Sequence, residues 1–296
     1  MSLIDITIII PVHSASNSLL NLFYSLNKQN CHNLKAEFIF IIDQCPENVF
    51  QFVQHWCISQ EKHSWKCYAV SYGNSDQSRE FGRQAAHGNI LAFLDDDCRP
   101  CQDWLWTGWH MMISHSYLVA VTGPVLHQDN LIGTCLAVAN FGEFQDNRIK
   151  FLKNAPGCNL FVRSSAIKSY PSIQECGYAG DRLLASQLAH QGKIAFIPTL
   201  NVFHDHGQTW KKIPMREFRY GQVAWLSRKI DPSLPGSRIL NLGIIAPFVI
   251  STARFAIDIK RLWSGSWRLW HQCVLSLMFI PFRIAYGLGV WKSKFP

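Results

Sequence analysis

Three consecutive carboxylates, Asp95-Asp96-Asp97, directly follow the apolar run Ile90–Leu94 and lead into Cys98-Arg-Pro-Cys-Gln-Asp-Trp-Leu105. A short apolar run of this kind reads as a strand buried on both faces. Its end marks the carboxyl edge of a parallel sheet, where open α/β sheets bind ligands. Carboxylates crowded there repel one another, and a hard divalent cation with oxygen ligands relieves the repulsion. The pattern points to a site for a metal ion and a diphosphate. An isolated Asp-Asp-Asp would more simply be a solvated turn capping the next helix; the surrounding sequence decides against that.

The elements that must position these carboxylates alternate. Strand-like runs at 4–10, 37–42, 67–72 and 90–94 are each followed by a helical pattern, from 17, 46 and 75 and over 103–115. Such alternation indicates βαβ units and a parallel sheet. Residues 126–213 carry an apolar segment at 131–144, a strand at 158–162, a helix at 180–190 and a strand pair at 193–197 and 200–203. They read as a mixed half of the same domain. A basic, aromatic helix at 215–228 follows, then the break Asp231-Pro-Ser-Leu-Pro-Gly236 and two apolar stretches, 239–257 and 269–291. The expected organisation is a catalytic domain over 1–230, a linker at 231–236 and an apolar, basic helical appendage over 237–296.

Composition narrows the class. The 296 residues are 48% apolar, enough for a sizeable core. Ten cysteines are scattered without a framework, and the first strand starts at Ile4 with no basic, apolar leader ahead of it. Reduced thiols in the cytoplasm are therefore expected. Cys98-Arg-Pro-Cys101 has the spacing of a redox or zinc pair, but no second pair accompanies it, so a structural zinc is not expected. The net charge of +8 is concentrated: residues 237–296 hold eight basic side chains and one acid, leaving the rest almost neutral. A nucleic-acid-binding catalytic face is not indicated.

Five motifs in order, over about 4–230, resemble the family 2 nucleotide-sugar glycosyltransferases of GT-A fold, in which a mostly parallel sheet is flanked by helices. Ile8-Ile-Ile-Pro11-Val12-His13 is similar to the family's first strand, which touches the nucleotide base; His13 stands where a Tyr is usual. Phe40-Ile-Ile-Asp43 resembles the second strand, whose terminal Asp accepts from the uracil imide, although Gln44-Cys45 departs from the common Asp-Gly-Ser. Ser78-Arg79-Glu80-Phe81-Gly82 is similar to the helix that sets an Arg beside base and phosphates. Asp95, Asp96 and Asp97 match the Asp-x-Asp motif. That match implies that Asp95 and Asp96 face the donor, and that Asp95 and Asp97 hold Mn²⁺ or Mg²⁺ against the diphosphate.

The resemblance also implies the chemistry. Gly157-Cys-Asn159-Leu-Phe-Val-Arg163 resembles the segment near the transferred sugar, making Asn159 a candidate polar contact. Gly177-Tyr-Ala-Gly-Asp181, with Leu184 and Leu188 after it, fits the family's Glu-Asp helix, so Asp181 takes the place of the catalytic base. Gly180 replaces the preceding Glu and Gln187 the usual Arg, which alters the base's surroundings. In an inverting displacement one carboxylate takes the acceptor's proton, and no second carboxylic acid is needed because the diphosphate is already activated. His204 matches the family's terminal metal-shell histidine, with His206 as fallback. A Gln-x-x-Arg-Trp motif is absent after it, so a processive synthase is disfavoured.

The tail mixes four tryptophans with its positive charge, a combination suited to the headgroup zone of a membrane. Its uncharged runs are each shorter than the ~20 residues needed to span. Pro247 and Pro281 are expected to interrupt them. Attachment to a membrane surface is expected, with a packed hairpin or a two-span hairpin as the alternatives. Together these features imply a cytoplasmic, membrane-peripheral, metal-dependent inverting enzyme that moves one sugar from a nucleotide sugar, expected to be a UDP-sugar, to a saccharide or lipid-linked acceptor. A sugar nucleotidyltransferase would carry a Gly-rich, basic loop after the first strand, where Pro11–Asn17 has neither. A catalytically silent sugar-nucleotide-binding protein would not need the retained carboxylates.

Overall fold

The computed structural model describes residues 4–13, 17–173, 180–205 and 207–295. The chain forms two compact units, one of Met1–Leu126 with Asp146–Asp205 and one of His127–Gln145 with His206–Pro296. The division does not fall at the expected linker: 231–236 lies inside the second unit, as do the apolar segment after residue 130 and the helix after residue 212.

In the first unit the strands run β1 (Ile6–Val12), β2 (Ala36–Asp43), β3 (Ser64–Val70), β4 (Ile90–Leu94), β5 (Cys98–Pro100), β6 (Leu118–Thr122), β7 (Val125–Leu126), β8 (Lys150–Leu152), β9 (Asn159–Arg163), β10 (Lys193–Phe196) and β11 (Val202–His204). The helices in chain order are α1 (Asn17–Asn27), α2 (Glu47–Ile58), α3 (Ser75–Ala85), α4 (Trp104–Ser114), α5 (Leu131–Phe141), α6 (Gly180–Gln191), α7 (Ile213–Ile230), α8 (Ala246–Ser264) and α9 (Leu269–Lys294), of which α5 and α7 to α9 build the second unit.

One sheet has the order β3-β2-β1-β4-β9-β6-β10-β8. Every residue of β1, β2 and β4 is buried, as expected for parallel strands covered on both faces. Because β1, β2 and β4 are parallel, His13, Asp43 and Asp95 emerge at one edge. The antiparallel β9 begins at that same edge, with Asn159 opposite Leu94. A small second sheet, β5-β11-β7, sets His204 opposite Cys98. Thus β10 and β11 lie in different sheets, and the strand pair expected at 193–203 does not form. In β3 the expected apolar 67–72 is shifted to 64–70, since this edge strand is only half-buried and carries no continuous apolar run. The strands β5 to β8 are two to five residues long and were not anticipated. Helix α3 lies close to β1 and β2 because Gly82 has no side chain; a Cβ there would sit 2.4 Å from Ile9 Cγ2.

The second unit is helical. Ile213, Leu262, Leu275, Phe279 and Phe282 share one buried cluster with α5 residues Cys135 and Val138. Pro281 sits inside α9 without ending it. Burial of Phe279 and Phe282 on either side offsets the lost backbone hydrogen bond. Arg283 turns inward, with Nη1 2.5 Å from Glu217 Oε2 of α7 and Nε 2.5 Å from Asp258 Oδ2 of α8, all three side chains being buried. Helix α7, grouped by sequence with the catalytic domain, is thereby tied to the tail. We expect Arg283→Ala to lower the unfolding free energy of this unit by about 3–5 kcal/mol, because two buried carboxylates lose their counter-charge. Denaturant unfolding followed by far-UV circular dichroism checks this, and an unchanged midpoint would refute it. The stretches Ser237–Ser264 and Leu269–Lys294 are long and apolar enough to cross a membrane, by length and composition only.

Candidate active site

The residues gathered at the sheet edge all belong to the first unit. One ligand atom each from Asp95, Asp97 and His204 lie within 4.8 Å of one another, and His204 Nε2 is 3.4 Å from Asp97 Oδ1. The loop after β4 is tied down by its backbone: Cys98 N–H donates to the Asp95 carbonyl, and Asp205 N–H donates to the Asp97 carbonyl. Burial, reinforced by the Asp95 charge, pushes the Asp97 carboxyl up to about 8. This is the electrostatic strain a divalent cation would relieve, so the oxygen and imidazole donors present fit Mn²⁺ or Mg²⁺. His206 lies outside the described residues.

Arg79 approaches this cluster from α3. Its Nη2 is 2.5 Å from Asp95 Oδ1, its Nη1 is 3.6 Å from Asp76 Oδ1, and its guanidinium lies 5.8 Å from the Tyr170 ring centroid. At 7% exposure it braces Asp95 rather than projecting into solvent. Asp96 takes a different partner, the His13 backbone N–H, at 3.0 Å. His13 itself is exposed at the strand end, whereas Pro11 and Val12 are buried in β1 and present no side chain to a ligand.

Two expected donor contacts are displaced by the packing. Asp43 Oδ1 accepts from the backbone N–H groups of Tyr72 and Gly73, and Oδ2 from Asn74 N–H and the Ser78 hydroxyl. Burial opposes ionisation, but the hydrogen bonds of Gly73, Ser78 and Asn74 outweigh it and hold this carboxyl below its usual range. With both oxygens doubly engaged and the side chain fully covered, Asp43 staples the turn before α3 and has no acceptor capacity left for a uracil imide. Asn159 is also fully buried: its Oδ1 accepts from Trp104 Nε1 and its Nδ2 donates to the Leu200 and Pro124 carbonyls. It joins strands and cannot reach a sugar.

Asp181 is the second residue of α6 and is partly exposed. Its Oδ2 accepts from Gly157 N–H at 3.0 Å and its Oδ1 from Arg182 N–H at 2.8 Å, which fixes the carboxylate's orientation. Residues 177–179 of the same motif lie outside the described residues. Gly180 has a physical explanation. A Cβ there would meet the Pro171 carbonyl oxygen at 1.8 Å and Asp76 Cγ at 2.8 Å, so a Glu has no room.

Asp76 fills that space from α3, accepting the Gly180 N–H at 2.9 Å, and sequence reasoning missed it. Its i, i+3 spacing to Arg79 was the available signal, hidden because an acid in a first helical turn reads as a favourable end charge. Tyr170, buried between Arg79 and Phe93, had no signal at all. Burial, with a further push from the Asp181 charge against the pull of Arg79, raises the Asp76 carboxyl to about 7. Since this is above its ordinary range of about 4, its contribution to stability is complete at low pH and lost as pH rises through about 7. The stability difference between Asp76→Asn and wild type should therefore move in the variant's favour as pH rises from about 5 to about 8. Melting curves across that range measure it, and a pH-independent difference would show Asp76 ionised throughout.

Comparison with known proteins identifies the family and the fold. The family profile described as "Glycosyl transferase family 2" matches residues 7–167. A curated relative, the pre-mycofactocin glycosyltransferase of Mycobacterium tuberculosis, is 22% identical over an alignment of 262 positions that covers 83% of this chain and 52% of the relative. The chain thus spans about half the length of that relative. Among solved structures, the mannosyltransferase PcManGT from Pyrobaculum calidifontis, in complex with GDP-Man and Mn²⁺, superposes with a TM-score of 0.65 at 13% identity over 98% of this chain and 86% of its own. S. aureus TarS 1–349 gives 0.53 at 13% identity over 98% and 89%, and GalNAc-T7 with UDP, GalNAc and Mn²⁺ gives 0.54 at 13% over 77% and 52%. With the matched residues running from the first strand through the Asp95–Asp97 edge, the chain belongs to glycosyl transferase family 2 and is built on a GT-A fold.

Proposed function

We propose that this enzyme transfers a single sugar, with inversion, from a nucleoside diphosphate sugar to a saccharide or lipid-linked acceptor at a membrane surface, using a divalent cation. The observation that carries it is the Asp95–Asp97–His204 cluster, where two carboxylates and an imidazole converge and Asp97 is raised to about 8. A cation held there would neutralise charge developing on the departing diphosphate. Arg79 keeps Asp95 aimed into the cluster. Asp181, held by the Gly157 and Arg182 amides, takes the proton from the acceptor hydroxyl as its oxygen bonds to the anomeric carbon and the bond to the diphosphate breaks. Asp76 sets where that helix starts.

A UDP-sugar is the first donor to test, and a GDP-sugar the second, because solved proteins of this fold hold each nucleotide. The saturated Asp43 leaves the base to His13 and backbone groups. Membrane attachment is supported by the second unit, where Phe248, Leu269 and Leu277 are two-thirds or more exposed and Trp263, Trp270 and Trp291 lie on the surface near basic residues. The test is a panel of nucleotide sugars with Mn²⁺, reading released nucleoside diphosphate, which slow donor hydrolysis supplies without an acceptor. Metal-dependent binding of a donor with no release from any, and no transfer to any acceptor, would instead favour a catalytically silent sugar-nucleotide-binding protein.

A further inference from the structure

Beside the carboxylate cluster lies a second set of donors with a different chemistry. Cys98 opens β5, directly opposite His204 on β11. Cys158 precedes β9, whose first residue pairs with the end of β4. One ligand atom from each of Cys98, Cys158 and His204 lie within 4.8 Å of one another, and all three residues are buried. The sequence spacing had suggested Cys101 as the partner of Cys98. In the structure the Cys101 thiol instead contacts the Thr199 carbonyl, and the sulfur near Cys98 comes from a residue far away in the chain.

We propose that Cys98, Cys158 and His204 form a second cation site, selective for a thiophilic divalent ion such as Zn²⁺, which competes with the oxygen-rich site for His204. The donor sets divide by hardness. Asp95, Asp97 and His204 offer two carboxylates and an imidazole, suited to Mn²⁺ or Mg²⁺, whereas Cys98, Cys158 and His204 offer two sulfurs and an imidazole, the set that prefers Zn²⁺. Three protein ligands leave one position of a tetrahedron open. Sulfur and nitrogen ligands around tetrahedral zinc lie roughly 3.5–4 Å apart, so donors within 4.8 Å of one another need to close by roughly 1.3 Å at most.

Placement on strand ends of two sheets pre-organises the set. On binding, the two S–H bonds break, two protons leave to solvent and two metal–sulfur bonds form. The dication and two thiolates then sum to zero charge, which limits the cost of burial. His204 belongs to both sets, so an ion on the sulfur side that takes Nε2, the ring nitrogen 3.4 Å from Asp97 Oδ1, withdraws it from Asp97. This antagonism, unlike the site itself, rests on the proposed metal-dependent function.

The test uses the whole 296-residue chain freed of metal and titrated with Co²⁺, whose thiolate complexes absorb in the near ultraviolet. A sulfur-to-cobalt band is expected, displaced by Zn²⁺. Asp97→Asn should retain it, each of Cys98→Ser and Cys158→Ser should reduce it, and the double variant should lose it. Cobalt binding without such a band in the wild type, or a band of full intensity in the folded double variant, would overturn the site. Because the wild-type spectrum is decisive alone, misfolding of a variant does not shield the proposal. Competition is then read by Mn²⁺ electron paramagnetic resonance. Zn²⁺ also competes directly at the oxygen-rich site, so it should weaken Mn²⁺ binding at least tenfold more in the wild type than in the double serine variant, and equal weakening in both would overturn the shared histidine. Failure of the wild type to bind Mn²⁺ at all would count against the proposed function, while the cobalt band would still decide the sulfur site.

Discussion

Asp97→Ala should abolish metal-dependent nucleotide binding. Asp97 combines two properties shared by no other carboxylate among the described residues of the sheet edge: it is 3.4 Å from His204 Nε2, and burial together with the Asp95 charge raises it to about 8. A cation binds only the ionised form, so protons compete for this oxygen. Mn²⁺ affinity in the wild type should fall as pH drops below about 8, a window set by the raised carboxyl. The alanine variant removes the anchor and, without metal, also removes an unfavourable buried acid. It should therefore stay folded, with a melting temperature equal to or above that of the metal-free wild type near neutral pH, while calorimetry detects no gain in UDP or GDP affinity on adding Mn²⁺. Retained Mn²⁺-dependent affinity would take Asp97 out of the site.

Asp181→Asn should lower turnover by roughly 10²–10⁴-fold while nucleotide affinity stays near that of the wild type. Asn keeps the volume and one acceptor, so it can still receive a backbone hydrogen bond at the start of α6, but it cannot hold the acceptor's proton. Steady-state transfer with the identified donor and acceptor, paired with nucleotide titration, separates the two effects. A variant turning over at a near-normal rate would mean that the base lies elsewhere. A parallel loss of nucleotide affinity would instead indicate that the carboxylate organises the 157 turn through Gly157 N–H, a structural duty that the present geometry also gives it.

The two variants probe opposite kinds of inference. Asp97 follows a strand whose apolar character and length are visible locally, and the structure brings it beside His204, the partner the family resemblance had already named. Asp181 was placed by resemblance at a helix start, and the structure surrounds it with contacts from distant segments. Asp43 and Asn159 show how far such placement carries. Both lie at the strand ends where a ligand contact was expected, yet the Asp43 carboxylate is consumed by four local donors and the Asn159 amide by Trp104 and two carbonyls. Local pattern locates a polar side chain on an element; the number of partners already holding it depends on what folds against that element.

From the sequence alone came the parallel strands β1, β2 and β4, the edge at which His13, Asp43 and Asp95 emerge, and the basic, apolar character of the C-terminal helices. The strands, the carboxylates after β4 and the tail follow from periodicity and charge, which are local and survive in the linear chain, while His13 and Asp43 were placed by the family resemblance. Tertiary structure alone decided that Asp76 occupies the space a side chain at residue 180 would need, that Cys98 neighbours Cys158 rather than Cys101, and that Arg283 turns inward to Glu217 and Asp258. Each of these joins residues tens of positions apart, and close packing admits one side chain where two would collide. The docking of one element on another selects which one, and no local pattern encodes that choice.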